Sequence, residues 1–189
     1  MTEHLHVVVG ASGGAGNAIV QAVHEAGHAV RAVNRSGSAS VPEGVERVAA
    51  DVTDEADARR ALAGADVVYM AAQPPYHRWP QEFPPMLASV IAAVPDGGRL
   101  VMVDNLYGFG PGSSPMSEQT PERADDTKGR VRRHMDQMLR DARTEGRIRV
   151  TVGRASDYIG PHADVSAITA LAIEPVSTGR TLRWTARLD

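Results

Sequence analysis

The sequence predicts an α/β fold, namely a doubly wound parallel sheet in a single domain. Short apolar runs alternate with segments whose apolar residues recur at helical spacing, which is typical of successive βαβ units. A glycine-rich turn joins the first apolar run to the first helical segment. With 189 residues, 42% of them hydrophobic and 23% charged, the chain is long enough and apolar enough for one buried core.

The strands are predicted from apolar runs bounded by glycine, proline or short polar residues. The first run reads LHVVV and ends directly at Gly10. The later runs repeat this pattern, and the last stretch, 181–184, is strand-like as well. The predicted strands are 5–9, 29–33, 45–49, 66–71, 99–103 and 148–153.

The helices are predicted from apolar stripes and from residues that end helices. In the first helix the stripe ends just before Gly27, where a C-capping glycine is expected. Segments rich in glycine, proline and serine are predicted as loops at 36–44 and 105–120, and the Pro- and aromatic-rich segment 73–85 joins the fourth strand to its helix. The predicted helices are 15–26, 54–62, 86–94, 122–145 with a start nearer 126, and 166–173.

Composition narrows the function classes. The net charge of −3 argues against nucleic acid and anionic membranes as partners, and no apolar run approaches the roughly 20 residues that cross a bilayer. The chain lacks cysteine, and its seven histidines form no compact ligand set, so no metal site is expected. The arginines from residue 130 to 149 are interrupted by acidic residues and are interpreted as a solvated, salt-bridged helix face. A cytoplasmic protein is expected.

The segment after the first strand carries the strongest motif. Glycines at 10, 13 and 16 are the pattern that allows a tight turn, a close approach to a pyrophosphate, and close helix–strand packing. Phosphates would then lie at the helix N-terminus, which predicts a Rossmann-type dinucleotide site. A glycine-rich turn without a ligand is the alternative. The predicted contacts are Gly10, Ser12, Gly13, Gly14, Ala15 and Gly16.

The ends of the second and third strands indicate which dinucleotide binds. No acid follows the second strand to hold a ribose 2′-hydroxyl, and Asn34 and Arg35 stand there instead. This pattern favours NADP(H), with NAD(H) as the alternative, unless Arg35 is only a solvated loop charge. Asp51 and Val52 are expected at the adenine, although Asp51 or Thr53 could instead cap the next helix.

Several segments in the same order resemble the extended short-chain dehydrogenase/reductases, and most closely the atypical NAD-dependent epimerase/dehydratase-like proteins. These segments are AADVTD, ADVVYMAAQPPY, VMVDNLYGFGP, KGRVRRHMDQML and RASDYIGP, and the likeness spans about 5–161. The resemblance implies that Ala71, Ala72 and Gln73 line the nicotinamide-ribose side. It also implies that residues 103–105 end beside the reacting carbon.

The family's Tyr-x-x-x-Lys pair is incomplete here. Lys128 is the chain's one lysine and fits the lysine position, but Ala124 stands at the tyrosine position, and Val103 and Asp104 replace the usual Ser or Thr. We therefore expect catalytic roles for Lys128, Tyr107, Asp104 and Asn105. Asp104 is a candidate general base or a turn residue, and a buried tyrosine can serve packing alone.

Three aromatic residues are predicted to contact substrate, because ligands bind beyond the carboxyl ends of such strands. They are Tyr76, Trp79 and Tyr158; Tyr158 is also a second candidate acid, and a subunit contact is the alternative for Tyr76 and Trp79.

The predicted organisation is a Rossmann domain at 1–161 and a short remnant of a truncated substrate lobe at 162–189. An open nicotinamide face favours a homo-oligomer, with a dimer expected. The predicted function is an NADP(H)-dependent oxidoreductase acting on a small carbonyl, alcohol or sugar-like substrate. A non-redox isomerase, dehydratase or cyclase and an NADP(H)-sensing module are the alternatives.

Overall fold

The computed structural model describes residues 4–163, 166 and 168–182. In this part of the chain six strands follow one another in the predicted order, with a helix between successive strands except between β2 and β3. The strands are β1 (Leu5–Val9), β2 (Ala29–Asn34), β3 (Glu46–Ala49), β4 (Val67–Met70), β5 (Arg99–Asn105) and β6 (Arg149–Ala155). The helices are α1 (Gly14–Glu25), α2 (Glu55–Leu62), α3 (Trp79–Ala93), α4 (Thr127–Glu145) and α5 (Glu174–Ser177).

All six strands are parallel and lie in the order β3-β2-β1-β4-β5-β6. The predicted Rossmann-type sheet is confirmed. The strand order reverses direction between β1 and β4, where Val9 pairs with Met70. Open α/β sheets bind their ligands in the crevice beyond this point.

The two faces of the sheet carry separate cores. Val7 and Val9 of β1 join the larger core, which is covered by α2, α3 and α4. Val8 points to the other face and joins the smaller core beneath α1. This alternation follows from the period of two along a strand, and both faces are apolar because helices cover both.

The helix after β4 begins seven residues earlier than predicted, at Trp79 rather than residue 86, and a short 3-10 turn precedes it (Tyr76–Arg78). Prolines caused the error, because Pro84 and Pro85 lie inside this helix and proline normally breaks one. Trp79, Phe83 and Leu87 are spaced four residues apart and are almost completely buried. Their packing outweighs the backbone hydrogen bonds that the prolines remove.

Among the described residues beyond β6, the helical segment lies at 168–177. A π-helical turn (Thr169–Ile173) leads directly into α5. The predicted strand at 181–184 lies partly outside the described residues. Among the described residues, no helix is both long enough and apolar enough to cross a membrane.

Candidate nucleotide-binding and active site

A cleft of about 1180 Å³ runs along the carboxyl ends of the strands. Residues after β1, β2, β4 and β5 line it, among them Gly10, Asn34, Ala71 and Asn105. The cleft therefore lies at the point where the strand order reverses, as the strand pattern predicts.

Two glycines of the first loop are required by close backbone packing. Gly10 has a φ of 89°, and a Cβ atom there would lie 2.5 Å from the backbone nitrogen of Ala72. A Cβ on Gly16 would lie 2.2 Å from the carbonyl oxygen of Gly10. Gly16 does not line the cleft. The absence of a side chain at Gly16 therefore serves to let α1 approach the end of β1 closely.

The start of α1 faces the cleft without a side-chain cap. Its N-cap is Gly13, which has no side chain to accept hydrogen bonds from the first turn. Ser12, Gly13, Gly14 and Ala15 all line the cleft here. Uncapped N–H groups and the positive end of the helix dipole together make a site for a phosphate group.

Polar residues at the end of β2 border the same cleft. Asn34, Arg35 and Ser36 line it, and Arg35 is exposed. The Oδ1 atom of Asn34 is buried and has no hydrogen-bond partner among the described residues. A hydroxyl group of a bound ribose would satisfy this oxygen.

The carboxylate of Asp51 is held in place after β3. Its Oδ1 accepts hydrogen bonds from the Thr53 hydroxyl at 2.7 Å and from the Thr53 backbone N–H at 3.0 Å. The Thr53 hydroxyl lowers the pKa of Asp51, and the charge of Arg35 has a smaller effect in the same direction. Asp54, and neither Asp51 nor Thr53, caps α2 by accepting from the N–H of Asp57. Asp51 and Val52 both line the cleft.

The sequence over residues 10–146 matches a family model described as NAD(P)H-binding. The chain belongs to the NAD(P)H-binding family. No curated relative matches the sequence significantly.

Solved structures of three enzymes share the fold. WbmH from Bordetella bronchiseptica, in complex with NAD+, is 16% identical with a TM-score of 0.74, over 95% of this chain and 64% of that one. A UDP-galactose 4-epimerase is 20% identical with a TM-score of 0.75, over 94% and 64%. UDP-glucose 4-epimerase from Brucella ovis, in complex with NAD, is 16% identical with a TM-score of 0.68, over 82% and 52%. The chain thus spans between half and two thirds of the length of these chains.

These findings confirm the nicotinamide dinucleotide fold and the resemblance to epimerase-like short-chain dehydrogenase/reductases. The residues in the cleft fit such a cofactor, because the glycine cradle, the uncapped helix and the unpaired Asn34 oxygen lie along one crevice.

The far half of this cleft begins where β4 ends. Ala71, Ala72 and Gln73 line it directly after the strand. Across from them, Val103 and Asn105 line it at the end of β5. Asn105 also accepts a hydrogen bond from the backbone N–H of Tyr107 through Oδ1, at 3.1 Å, which turns the chain and positions Tyr107.

Lys128 meets two tyrosines in this half of the cleft. Its Nζ lies 4.2 Å from the ring centre of Tyr76 and 5.6 Å from that of Tyr107. The two rings are 6.5 Å apart, and all three residues line the cleft. The structure therefore brings together Lys128, Tyr107 and Tyr76, which the sequence placed in three separate segments.

The environment of Tyr107 favours the protonated form of its phenol. Burial raises its pKa to about 12, and the neighbouring Tyr76 adds to the effect. A phenol in this state donates a proton or a hydrogen bond but does not act as a base at neutral pH.

Trp79 does not contact the cleft as the sequence predicted. Its side chain is completely buried, its Nε1 donates to the carbonyl oxygen of Pro74 at 3.0 Å, and its ring packs edge-on against Phe83. The start of α3 at Trp79 explains the difference, because it turns the ring into the core. Tyr76, three residues earlier, is exposed and lines the cleft.

Asp104 is not placed to act as a general base. It is buried, and its carboxylate forms ion pairs with Arg132 at 3.0 Å and with Arg154 at 3.2 Å. Arg132 lies beside Oδ1 and Arg154 beside Oδ2, so each carboxylate oxygen faces a cation. The Tyr158 hydroxyl donates to the backbone oxygen of Asp104 at 2.7 Å, so Tyr158 reaches the cleft while it fixes this strand end.

Arg132 is the main residue that the sequence interpretation misplaced. It was included in a solvated helix face, yet its side chain is only 5% exposed. Its guanidinium lies 4.4 Å from the ring centre of Trp79 and 4.6 Å from that of Phe83. Its spacing of four residues from Lys128 was the available signal, because residues four apart share a helix face.

Arg154 was missed as well, and it links the site to a charged cluster. Its Nη2 donates to Glu122 and to Asp136, each at 2.6 Å. Burial raises the pKa of Glu122. The position of Arg154 on β6 was a signal, since that strand also ends at the cleft.

Ala124 does not stand on the same helix as Lys128. Asp126 caps α4 through its Oδ1, which accepts from the N–H groups of Lys128 and Gly129, so the helix begins at Thr127. Ala124 is buried. A Cβ atom added to Gly129 would lie 2.3 Å from the Cβ atom of Ala124. Ala124 therefore packs beneath the helix and is not part of the cleft lining.

Among the described residues, no group of three or more His, Cys, Asp or Glu is arranged to hold a metal ion.

Proposed function

We propose that the protein is an NADP(H)-dependent oxidoreductase that acts on a small carbonyl, alcohol or sugar-like substrate. One observation supports a preference for NADP(H) over NAD(H). Arg35 stands at the rim of the cleft beyond β2, where an acid would hold the ribose 2′-hydroxyl of NAD, and the nearby residues Val33–Ser36 include no acid. A guanidinium at this position suits a 2′-phosphate.

The chain's own groups divide the binding between them. The N–H groups at the start of α1 bind the pyrophosphate, Asn34 accepts from a ribose hydroxyl, and Asp51 accepts from the adenine amino group with Val52 against the ring. Ala71, Ala72 and Gln73 border the nicotinamide ribose, and Lys128 donates to its hydroxyls.

NADPH bound in the cleft would supply a hydride to the substrate carbon. Tyr107 donates the accompanying proton from its hydroxyl, which its raised pKa keeps protonated at neutral pH. Lys128 stabilises negative charge beside this phenol. Tyr107 reaches the cleft from the end of β5, and so replaces the tyrosine that the family carries four residues before its lysine.

A non-redox isomerase or dehydratase on the same scaffold is the competing function. It needs a base as well as an acid, and the two arginines on Asp104 remove the most obvious base. The positions of Tyr107 and Lys128 fit either reaction, so the consumption of NADPH during turnover separates the two.

Cofactor titration tests the binding half of the proposal. The Kd of the protein for NADPH and for NADH is measured by fluorescence, for the natural chain and for Arg35→Ala. Because charge-assisted hydrogen bonds to a phosphate contribute about 1.5–3 kcal/mol, the substitution should weaken NADPH binding about tenfold or more. Binding of NADH should not change.

Arg59→Ala is the matched control, because Arg59 is an exposed arginine whose ion pair is with Glu55 on the same helix. It should leave both constants unchanged. Equal weakening of NADPH and NADH by Arg35→Ala would contradict the preference for NADP(H), and failure to bind either dinucleotide would contradict the whole proposal.

The catalytic half is tested with Tyr107→Phe. Oxidation of NADPH is followed with a panel of aldehydes, ketones and sugars, and the natural chain should turn over at least one of them. Loss of one positioned proton donor should slow turnover about 10²–10⁴-fold while the Kd for NADPH stays the same. Unchanged turnover by Tyr107→Phe would remove Tyr107 from the mechanism.

A further inference from the structure

A nearly buried carboxylate holds the loop that joins β5 to α4. This β5–α4 loop, residues 106–126, carries Tyr107 at its start and Glu122 near its end. The side chain of Glu122 is only 11% exposed, and its Oε1 accepts a hydrogen bond from Nη2 of Arg154 at 2.6 Å. A charge-assisted hydrogen bond, which is stronger than one between neutral groups, therefore ties the loop to β6.

The same carboxylate packs against the residue that follows Tyr107. A Cβ atom added to Gly108 would lie 2.9 Å from Oε2 of Glu122 and 3.1 Å from its Cδ, so a larger residue at 108 would displace the carboxylate. The backbone N–H of Ala124 also donates to the carbonyl oxygen of Gly108 at 3.0 Å. The two ends of the loop thus lie side by side, with Glu122 in contact with the backbone next to Tyr107.

Arg154 is itself held from three directions. Its Nη2 also donates to Asp136 of α4 at 2.6 Å, and its Nε donates to Asp104 of β5 at 3.2 Å. Its guanidinium lies 5.3 Å from the ring centre of Phe109, which is buried. Because a strand and a helix fix the guanidinium, they also fix the position of Glu122.

Glu122 does not lie where the reaction is proposed to occur. Among the residues that the structure describes, neither Glu122 nor Arg154 lines the cleft, whereas Tyr107 does. Glu122 lines instead a second cavity of about 710 Å³, together with Asp136 of α4. Any effect of Glu122 on the reaction would therefore pass through the backbone at Gly108.

From these contacts we propose that Glu122 is a positioning residue, which holds Tyr107 at the reacting end of the cleft through its contact with Gly108. This inference rests on the proposed function, in which Tyr107 donates the proton. Asn105 holds the other side of Tyr107, by accepting from its backbone N–H at 3.1 Å. A displacement of about 1 Å in a reacting group can slow a reaction about 10²-fold, so the contacts that fix this backbone matter for the rate.

Fluorine NMR tests the position of Tyr107 without any substrate. The chain has four tyrosines, so labelling with 3-fluorotyrosine gives four signals, and single tyrosine-to-phenylalanine variants assign them. The ring of Trp79 lies 6.1 Å from that of Tyr107, and aromatic rings shift the resonances of nearby nuclei. Glu122→Ala should therefore move the Tyr107 signal. The exposed Glu118 of the same loop is the matched control, and Glu118→Ala should leave all four signals in place.

Gly108→Ala is a second test, because its methyl group should displace the carboxylate of Glu122. The φ of Gly108 is not positive, so alanine is compatible with the backbone there. This variant keeps every charge of the cluster, and it carries the same test if Glu122→Ala fails to fold. It should move the Tyr107 signal as well.

Kinetics with the substrate that the panel identifies gives the third readout. Glu122→Ala and Gly108→Ala should each lower kcat about 10–100-fold, with KM and the Kd for NADPH unchanged. In the double variant the methyl group enters the space that the carboxylate has left, so the loss should not exceed that of either single variant. Glu122→Gln keeps an acceptor for Arg154 and should retain most of the turnover.

A Tyr107 signal that stays in place in both single variants would overturn the inference. Losses that add in the double variant would also overturn it, because the two residues would then act independently. Failure of the natural chain to bind or oxidise NADPH would instead contradict the proposed function, and the NMR signal would still show whether Glu122 holds Tyr107. The two failures are therefore distinguishable.

Discussion

At the scale of single residues, one carboxylate organises the reacting half of the cleft. Asp104 lies near the end of β5, and its carboxylate forms ion pairs with Arg132 and Arg154. The backbone oxygen of the same residue accepts from Tyr158. Asp104 thus fixes two cations and one tyrosine at the cleft, which is a structural role where the sequence indicated a catalytic one.

The first prediction concerns this carboxylate. Asp104→Asn should lower the free energy of unfolding by about 3–5 kcal/mol, because it leaves a buried arginine without a counter-charge. Urea unfolding measures the change. Glu55→Gln is the control, since it removes an exposed pair with Arg59 and should cost about 1 kcal/mol or less. An Asp104→Asn variant as stable as the natural chain would show that the buried ion pairs do not hold the site together.

At the scale of elements, the start of α4 decides which residues can act together. Asp126 begins the helix and thereby places Lys128 in the first turn, where its side chain reaches the tyrosines of the 3-10 turn and of the β5 end. Ala124 precedes the cap and packs against Gly129 and Gly110. Position 124 therefore lies outside the helix that carries Lys128.

The second prediction follows from that packing. Ala124→Tyr should not restore a Tyr-x-x-x-Lys pair, because position 124 is buried beneath the helix. It should instead lower the free energy of unfolding by about 1–3 kcal/mol through overpacking and give no gain in NADPH-dependent turnover. Ala88→Tyr on the exposed face of α3 is the control and should cost about 0.5 kcal/mol from helix propensity alone. Increased turnover by Ala124→Tyr would contradict the assignment of Tyr107.

At the scale of the whole molecule, the sheet was predictable because its strands are marked locally. Each apolar run ends at a turn residue, and the glycine loop identifies β1 and the order of its neighbours. The buried Arg132 was not predictable in this way. Its burial depends on rings from α3 and on a carboxylate from β5, which lie far away in sequence and meet only after the helices pack. The first turns of α3 were not predicted for a related reason. Its prolines disfavour a helix locally, but the packing of the helix against the core overrides that preference.

The last prediction concerns the cooperativity of the domain. The cleft is lined from both halves of the sheet, by residues after β2 and β3 on one side and after β4, β5 and β6 on the other. A ligand that bridges both halves should stabilise them as one unit, by about 2.7 kcal/mol when NADPH is present at a hundred times its Kd.

Urea unfolding is followed by far-ultraviolet circular dichroism, which reports all helices and strands. It is also followed by tryptophan fluorescence, whose signal includes that of the buried Trp79 on α3. Both midpoints should rise together with NADPH, and the rise should shrink in Arg35→Ala at the same cofactor concentration. A shift of one midpoint without the other would mean that the cofactor stabilises only one half of the sheet.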